Sequence, residues 1–273
     1  MYPTIKNAIL LCLLFLGIQI GLSLLIGIFQ IIFSLPETSL LVGVLTALTS
    51  IISFGIVLWV GFRKTKRKFN EVFKFNKISS FLWIAIMVFM IGFVIVLSEM
   101  DNLLQYILPM PEIFRNIFET LMTEQIFIIA IISVGIIPAF TEELFFRGLI
   151  LDGLKSNYSK RKAIIISALL FGIIHLNPWQ FYSAFIIGLI SAWVCIETNS
   201  ILLSIYIHFF NNALCTIAVR YNDLIPIKGF NSNFTTPSIF QPLWFDVSGL
   251  VILIMGTIML VRGIKEAKTS AKA

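Results

Sequence analysis

The stretch from Ile126 to Leu151 reads IFIIAIISVGIIPAFTEELFFRGLIL. As a helix rising ~1.5 Å per residue it covers about 39 Å, more than the ~30 Å hydrocarbon layer of a bilayer. It nevertheless carries Glu142, Glu143 and Arg147. Each charge at the centre of a bilayer costs ~2.5–3.5 kcal/mol on insertion scales, so three charges in one span mark a pair, a working site, or both. Glu143 and Arg147 are four apart and share a helix face, whereas Glu142 points about 100° away. The spacing predicts that Arg147 pairs with Glu143 and that Glu142 is left free.

On either side of this stretch, seven more apolar runs occupy residues 8–33, 40–62, 81–98, 163–176, 179–196, 201–219 and 247–261. The chain of 273 residues is 58% hydrophobic and 12% charged, with a mean hydropathy of +0.97. Soluble domains carry roughly 25% charge, and disordered or nucleic-acid-binding chains need a polar or strongly basic composition. The expectation is an all-α polytopic integral membrane protein with eight transmembrane helices and no nucleic-acid partner. The first run is too long for a signal peptide and lacks a small-residue cleavage site, so it is expected to stay in the mature protein. Cys12, Cys195 and Cys215 have no paired spacing and read as core thiols. Gly17 and Gly21 in the first run read as a close-packing face.

The net charge of +6 has an explanation in orientation. With the amino terminus inside, the inner segments hold Lys6, the basic runs at 63–77 and 155–162, and the tail at 262–272. The outer segments hold only Arg115, Arg220 and Lys228. That is the Lys/Arg bias of cytoplasmic loops, and it places both termini in the cytoplasm of a multi-pass cell-membrane protein. The outer connection at 101–125 alternates Ile113, Phe114, Ile117, Phe118 and Met122 with polar residues at helical spacing, and is expected to lie along the interface.

Only two histidines occur, His175 in FGIIH and His208 in HFFNN, both late in apolar runs, with Phe171 one turn before the first and Asn212 one turn after the second. Counted from the basic side, Glu142 and His208 lie about 10–12 Å deep and His175 nearer 20 Å. They can meet only if the fourth, fifth and seventh helices are neighbours. A carboxylate held in an apolar pocket takes up a proton more readily than one in water. That suits Glu142 to activate a water, with His175 holding the same water, and general-base help of this kind is worth ~10²–10⁴ in rate. His208 and Asn212 could donate to the oxyanion of a hydrolysed amide. Glu142, His175 and His208 could equally bind zinc, the ligand types of many hydrolytic sites, although no HExxH spacing is present. No GxSG motif occurs and no aspartate lies within the apolar runs, which disfavours other intramembrane proteases. A proton or ion transporter would use the same carboxylates, but no inverted repeat is visible.

EELFFR, FGIIH and HFFNN, in this order, resemble the EExxxR, FxxxH and HxxxN motifs of the CPBP family, the type II CAAX prenyl endopeptidases and the bacteriocin-processing or abortive-infection membrane proteins. The resemblance covers residues 126–219. It implies an eight-helix intramembrane endopeptidase opening towards the cytoplasm. Its catalytic residues would be Glu142, His175, His208 and Asn212, supported by Glu143, Arg147 and Phe171. It also implies a membrane-inserted or lipidated peptide substrate, CAAX-type prenylated in the eukaryotic branch. Family members have been described both as metal-free glutamate proteases and as zinc metalloproteases; the expectation here is no cofactor, with zinc as the alternative. A non-enzymatic scaffold or bacteriocin-immunity protein of the same fold is the remaining reading. The chain then divides, within one structural domain, into amino-terminal helices with the interfacial segment (1–125), catalytic helices (126–219), and the outer loop, last helix and tail (220–273).

Overall fold

In the computed structural model residues 1–36, 39–124, 126–221, 224, 227–230 and 238–270 are described. Eight long helices follow the apolar runs. They are α1 (Ile5–Phe33), α2 (Leu40–Thr65), α3 (Ser80–Ile107), α4 (Phe127–Asn157), α5 (Lys160–Ile173), α6 (Pro178–Thr198), α7 (Leu202–Arg220) and α8 (Leu243–Ser270). Among the described residues seven of them are long and apolar enough to cross a membrane, which makes this a multi-pass membrane protein. The eighth expected span, 163–176, is the exception. Its helix α5 has 14 residues, about 21 Å of rise, because the chain turns at His175–Asn177 and enters α6 with Pro178 in its first turn.

Among the described residues the helices pack as two large apolar cores, with a small third cluster of Ala139, Ile201 and Ile205. One large core joins Leu11 and Phe15 of α1, Phe54 and Val57 of α2, the fully buried Phe145, Phe146, Leu149 and Leu154 of α4, and Leu170 and Phe171 of α5. The other joins Leu82, Ile86, Met90 and Val94 of α3, Leu203 and Ile207 of α7, and Leu260 and Ile264 of α8. Helix α6 belongs to both, through Ala184 and Ala192 on one side and Ile187 and Val194 on the other. Outward-facing Leu24, Leu25, Ile28, Ile31 and Ile32 of α1 are more than half exposed. So much apolar surface suits contact with lipid, where its exposure to water is avoided.

Two details differ from the sequence reading. A side chain at Gly17 or Gly21 would touch nothing, so these glycines are not a packing face within the chain. The close approach is made instead by Gly249, Gly256 and Gly263 of α8, seven residues apart, against α3. A Cβ at Gly256 would come within 2.4 Å of the Phe89 backbone, and one at Gly92 within 2.3 Å of the Leu253 amide. Backbone cannot retreat as a side-chain tip can, so Gly256→Leu is expected to cost at least the ~1–3 kcal/mol of an overpacked core. Thermal unfolding in detergent checks this; Gly17→Leu, facing empty space, should leave the midpoint unchanged.

The second difference is the length of α3, which continues past Ser98 to Ile107 and so brings Asp101 into a long helix. The polar residues that ended the apolar run are satisfied inside the protein. Asn102 donates to Glu99 and to the Gly229 carbonyl, and Gln105 and Tyr182 both donate to Asp101.

Candidate active site

Helix α4 is not a regular α-helix. It widens into π-type turns at Ile131–Ile136 and again at Leu144–Ile150, with Pro138 between them. Proline cannot donate the bond to the fourth carbonyl before it, here that of Val134. Asn212 of α7 fills the place: its Nδ2 donates to the Val134 carbonyl at 2.9 Å. Widened turns of this kind recur where a helix presents functional side chains. The first of them sets the register of the turn that carries Glu142.

Glu142, Phe171, His175, His208 and Asn212 line one cavity of about 330 Å³ between the two cores. Helices α4, α5 and α7 therefore do meet. Glu142 faces the cavity, and its Oε2 is buried without a hydrogen-bond partner. A buried carboxylate oxygen with no protein partner leaves its lone pairs available to a molecule held in the cavity.

Glu143 and Arg147 lie behind this wall. Their side chains are fully buried, with Arg147 Nη1 2.9 Å from Glu143 Oε1, although no guanidinium N–H makes an aligned hydrogen bond. The guanidinium carbon sits 4.3 Å from the centre of the Phe171 ring, a cation–π contact. The same ring meets His175 and His208 edge-on at 5.3 and 5.5 Å. Phe171 is thus the part that holds the ion pair and both imidazoles in register.

Each histidine is fixed through Nδ1. His175 Nδ1 lies 2.9 Å from the Phe171 carbonyl, to which it can only donate, so Nε2 is its free nitrogen. His208 Nδ1 lies 3.1 Å from Glu143 Oε1. Glu143 therefore serves two partners, Arg147 and His208, where the four-residue spacing pointed to one. With Nδ1–H donated to a carboxylate, the Nε2 of His208 offers a lone pair in the neutral ring and a second N–H in the protonated ring.

Among the described residues no three His, Cys, Asp or Glu side chains converge on a point that would hold a metal ion. Glu142, His175 and His208, the residues that would hold zinc, all line this cavity.

Residues 124–214 match the family model of Rce1-like proteins, described as type II CAAX prenyl endopeptidase. This segment is similar to the Rce1-like family. The match takes in α4 to α7 up to Leu214 and all three motifs, and it supports assignment to the CPBP/CAAX intramembrane proteases. Comparison with curated proteins and with solved structures gives no match.

Around the Rce1-like motifs the cavity has walls the sequence reading did not single out. Ser98 and Asp101 come from α3, Trp179, Gln180, Tyr182 and Ser183 from α6, and Asn211 from α7. Tyr182 Oη donates to Asp101 Oδ1 at 3.0 Å, and Trp179 Nε1 donates to the Leu108 carbonyl at 2.8 Å. The one sequence signal concerned Asp101, which with Asn102 and Gln105 sits at helical spacing just after an apolar run.

The Asn212–Val134 bond makes one outcome measurable. Asn212→Ala leaves the Val134 carbonyl without its donor and is expected to cost about 1–3 kcal/mol of stability. Adding Pro138→Ala returns a backbone N–H to that carbonyl, so the double variant should regain most of the lost unfolding midpoint. Absence of rescue would show that Asn212 does not act by filling the gap left by the proline.

Proposed function

We propose that the protein is an intramembrane endopeptidase in which Glu142 activates a water for attack on a peptide bond in the membrane. The observation that carries this reading is the unpaired, buried Glu142 Oε2 on a cavity shared with His175, His208 and Asn212. The Rce1-like match supports a CAAX-type protease in general; the chemical steps are inferred from this chain's own residues.

Water held between Glu142 and the free Nε2 of His175 gives its proton to the carboxylate as its oxygen attacks the carbonyl carbon. The tetrahedral oxyanion takes hydrogen bonds from Nε2–H of His208 and from the second amide hydrogen of Asn212, the first being given to Val134. One such donor is typically worth ~2.7–4 kcal/mol. Glu143 holds His208 through Nδ1, and Arg147 and Phe171 hold Glu143 and the rings. The proton on Glu142 then passes to the leaving amine, which restores the carboxylate. No step is routed through zinc. By the bias of its basic loops the protein is a cell-membrane protein with both termini in the cytoplasm.

The test compares, by mass spectrometry, the membrane-bound and released peptides of cells carrying wild type or Glu142→Gln at matched abundance. New peptide termini present only with wild type are expected. Identical profiles under conditions where deletion of the gene has a phenotype would leave a non-enzymatic scaffold or immunity role instead.

A further inference from the structure

The cavity is not placed symmetrically along the bundle. From Glu142 and His208 its lining runs in one direction, to Ser98 and Asp101 on α3, Trp179 and Gln180 at the start of α6, and Val219 at the end of α7. Met110, Phe118 and Met122 of the interfacial connection complete that end. All of these lie at the ends of helices remote from the basic loops. The helix Glu112–Glu119 stands over this end, with Phe114 against the Trp179 ring at 5.4 Å and Ile113 and Ile117 facing outward.

In the other direction the path is shut. Phe145, Phe146, Leu149, Ile150 and Leu154 are wholly buried, Phe73 presses on Gly148 and Pro3 on Gly153. Across the same end Arg67 pairs with Asp152, while Lys160 and Lys268 both pair with Glu197. On this face Arg147 borders a dent of about 20 Å³. The open route carries two carboxyl groups, Asp101 and Glu142, beside the imidazoles of His175 and His208, and no lysine or arginine lines it among the described residues.

We propose that the site is entered from the face opposite the basic loops, and that its substrate is a peptide segment displayed there, neutral or cationic near the cut. The proposal rests on the peptidase reading for the word substrate; the route itself does not. Because basic loops mark the cytoplasmic side, this face is the extracytoplasmic one, the reverse of the opening that the family resemblance implies. A carboxyl-terminal carboxylate delivered from the cytoplasm would have to pass a packed aromatic plug and then meet two acids with no lysine or arginine among the lining side chains.

The experiment uses the full chain with Cys12, Cys195 and Cys215 replaced by alanine and a single cysteine introduced as Ser183→Cys, inside the cavity. Met122→Cys at its remote end and Lys64→Cys in the first basic loop serve as markers of the two faces. Each is treated with a small membrane-impermeant cationic methanethiosulfonate, in intact cells and in inside-out vesicles. The expected result is that Ser183→Cys and Met122→Cys react at least about ten-fold faster in intact cells, while Lys64→Cys reacts only in vesicles. An anionic methanethiosulfonate should modify Ser183→Cys several-fold more slowly than the cationic one, on the order of the effect of a one-signed cleft. Faster reaction of Ser183→Cys from vesicles, or none from either side while Met122→Cys reacts, overturns the proposal. Labelling needs no turnover, so it stands or falls separately from the protease assay.

Discussion

Glu142→Gln is expected to reduce peptide cleavage by about 10²–10⁴, the usual worth of a positioned general base. The substitution keeps the size and planarity of the side chain and removes only its capacity to take a proton. Glu142 lines the cavity, and among the described residues its Oε2 has no hydrogen-bond partner to lose. Folding should therefore be unaffected. In proteoliposomes, with a substrate identified by its wild-type-specific terminus, the two proteins are compared for initial rate and for unfolding midpoint. A rate within about ten-fold of wild type at equal stability would remove Glu142 from the chemistry and transfer the role to one of the histidines.

The second large effect falls on folding. Arg147→Ala leaves Glu143 fully buried with His208 as its single neighbouring donor, and breaking a buried pair from one side costs ~3–5 kcal/mol. The Phe171 ring also loses the cation packed 4.3 Å from its centre. The expected result is loss of folded protein from the membrane fraction. Replacing both partners by apolar residues of similar size, Glu143→Leu with Arg147→Met, removes the buried charges together and is commonly neutral for stability. That double variant should fold, yet cleave poorly, since His208 has lost the carboxylate that holds its Nδ1. Normal yield and midpoint for Arg147→Ala alone would show that water reaches the pair.

Charge placement made much of this legible in advance. Three charges in 126–151 and two histidines in apolar runs single themselves out because the membrane makes them expensive, and their side chains do meet. Helix packing was less accessible, because contact between helices in lipid is decided by shape rather than by hydropathy. Gly17 and Gly21 have the spacing of a packing face and face nothing, while the seven-residue series ending at Gly263 is spread over a long apolar helix and escapes a short window. The end of α3 was missed for a related reason. Asp101 and its neighbours look like a loop by composition, and only the tertiary partners Tyr182 and Gly229 make them tolerable within a helix. The direction of the cavity has no signature in one dimension at all.

The packing of α3 on α8 has a bearing on inheritance. Both helices lie outside the matched segment 124–214, and α3, locked to α8 through glycine, supplies one side of the cavity from Val94 to Asp101. On the proposed reading, the motif residues and part of the wall an incoming peptide would meet thus belong to different stretches of chain. A lineage can rewrite the α3–α8 pair, and with it the shape and charge that an incoming peptide meets, without disturbing a residue of the three motifs. Proteins that share the motifs of α4, α5 and α7 need not share a diet.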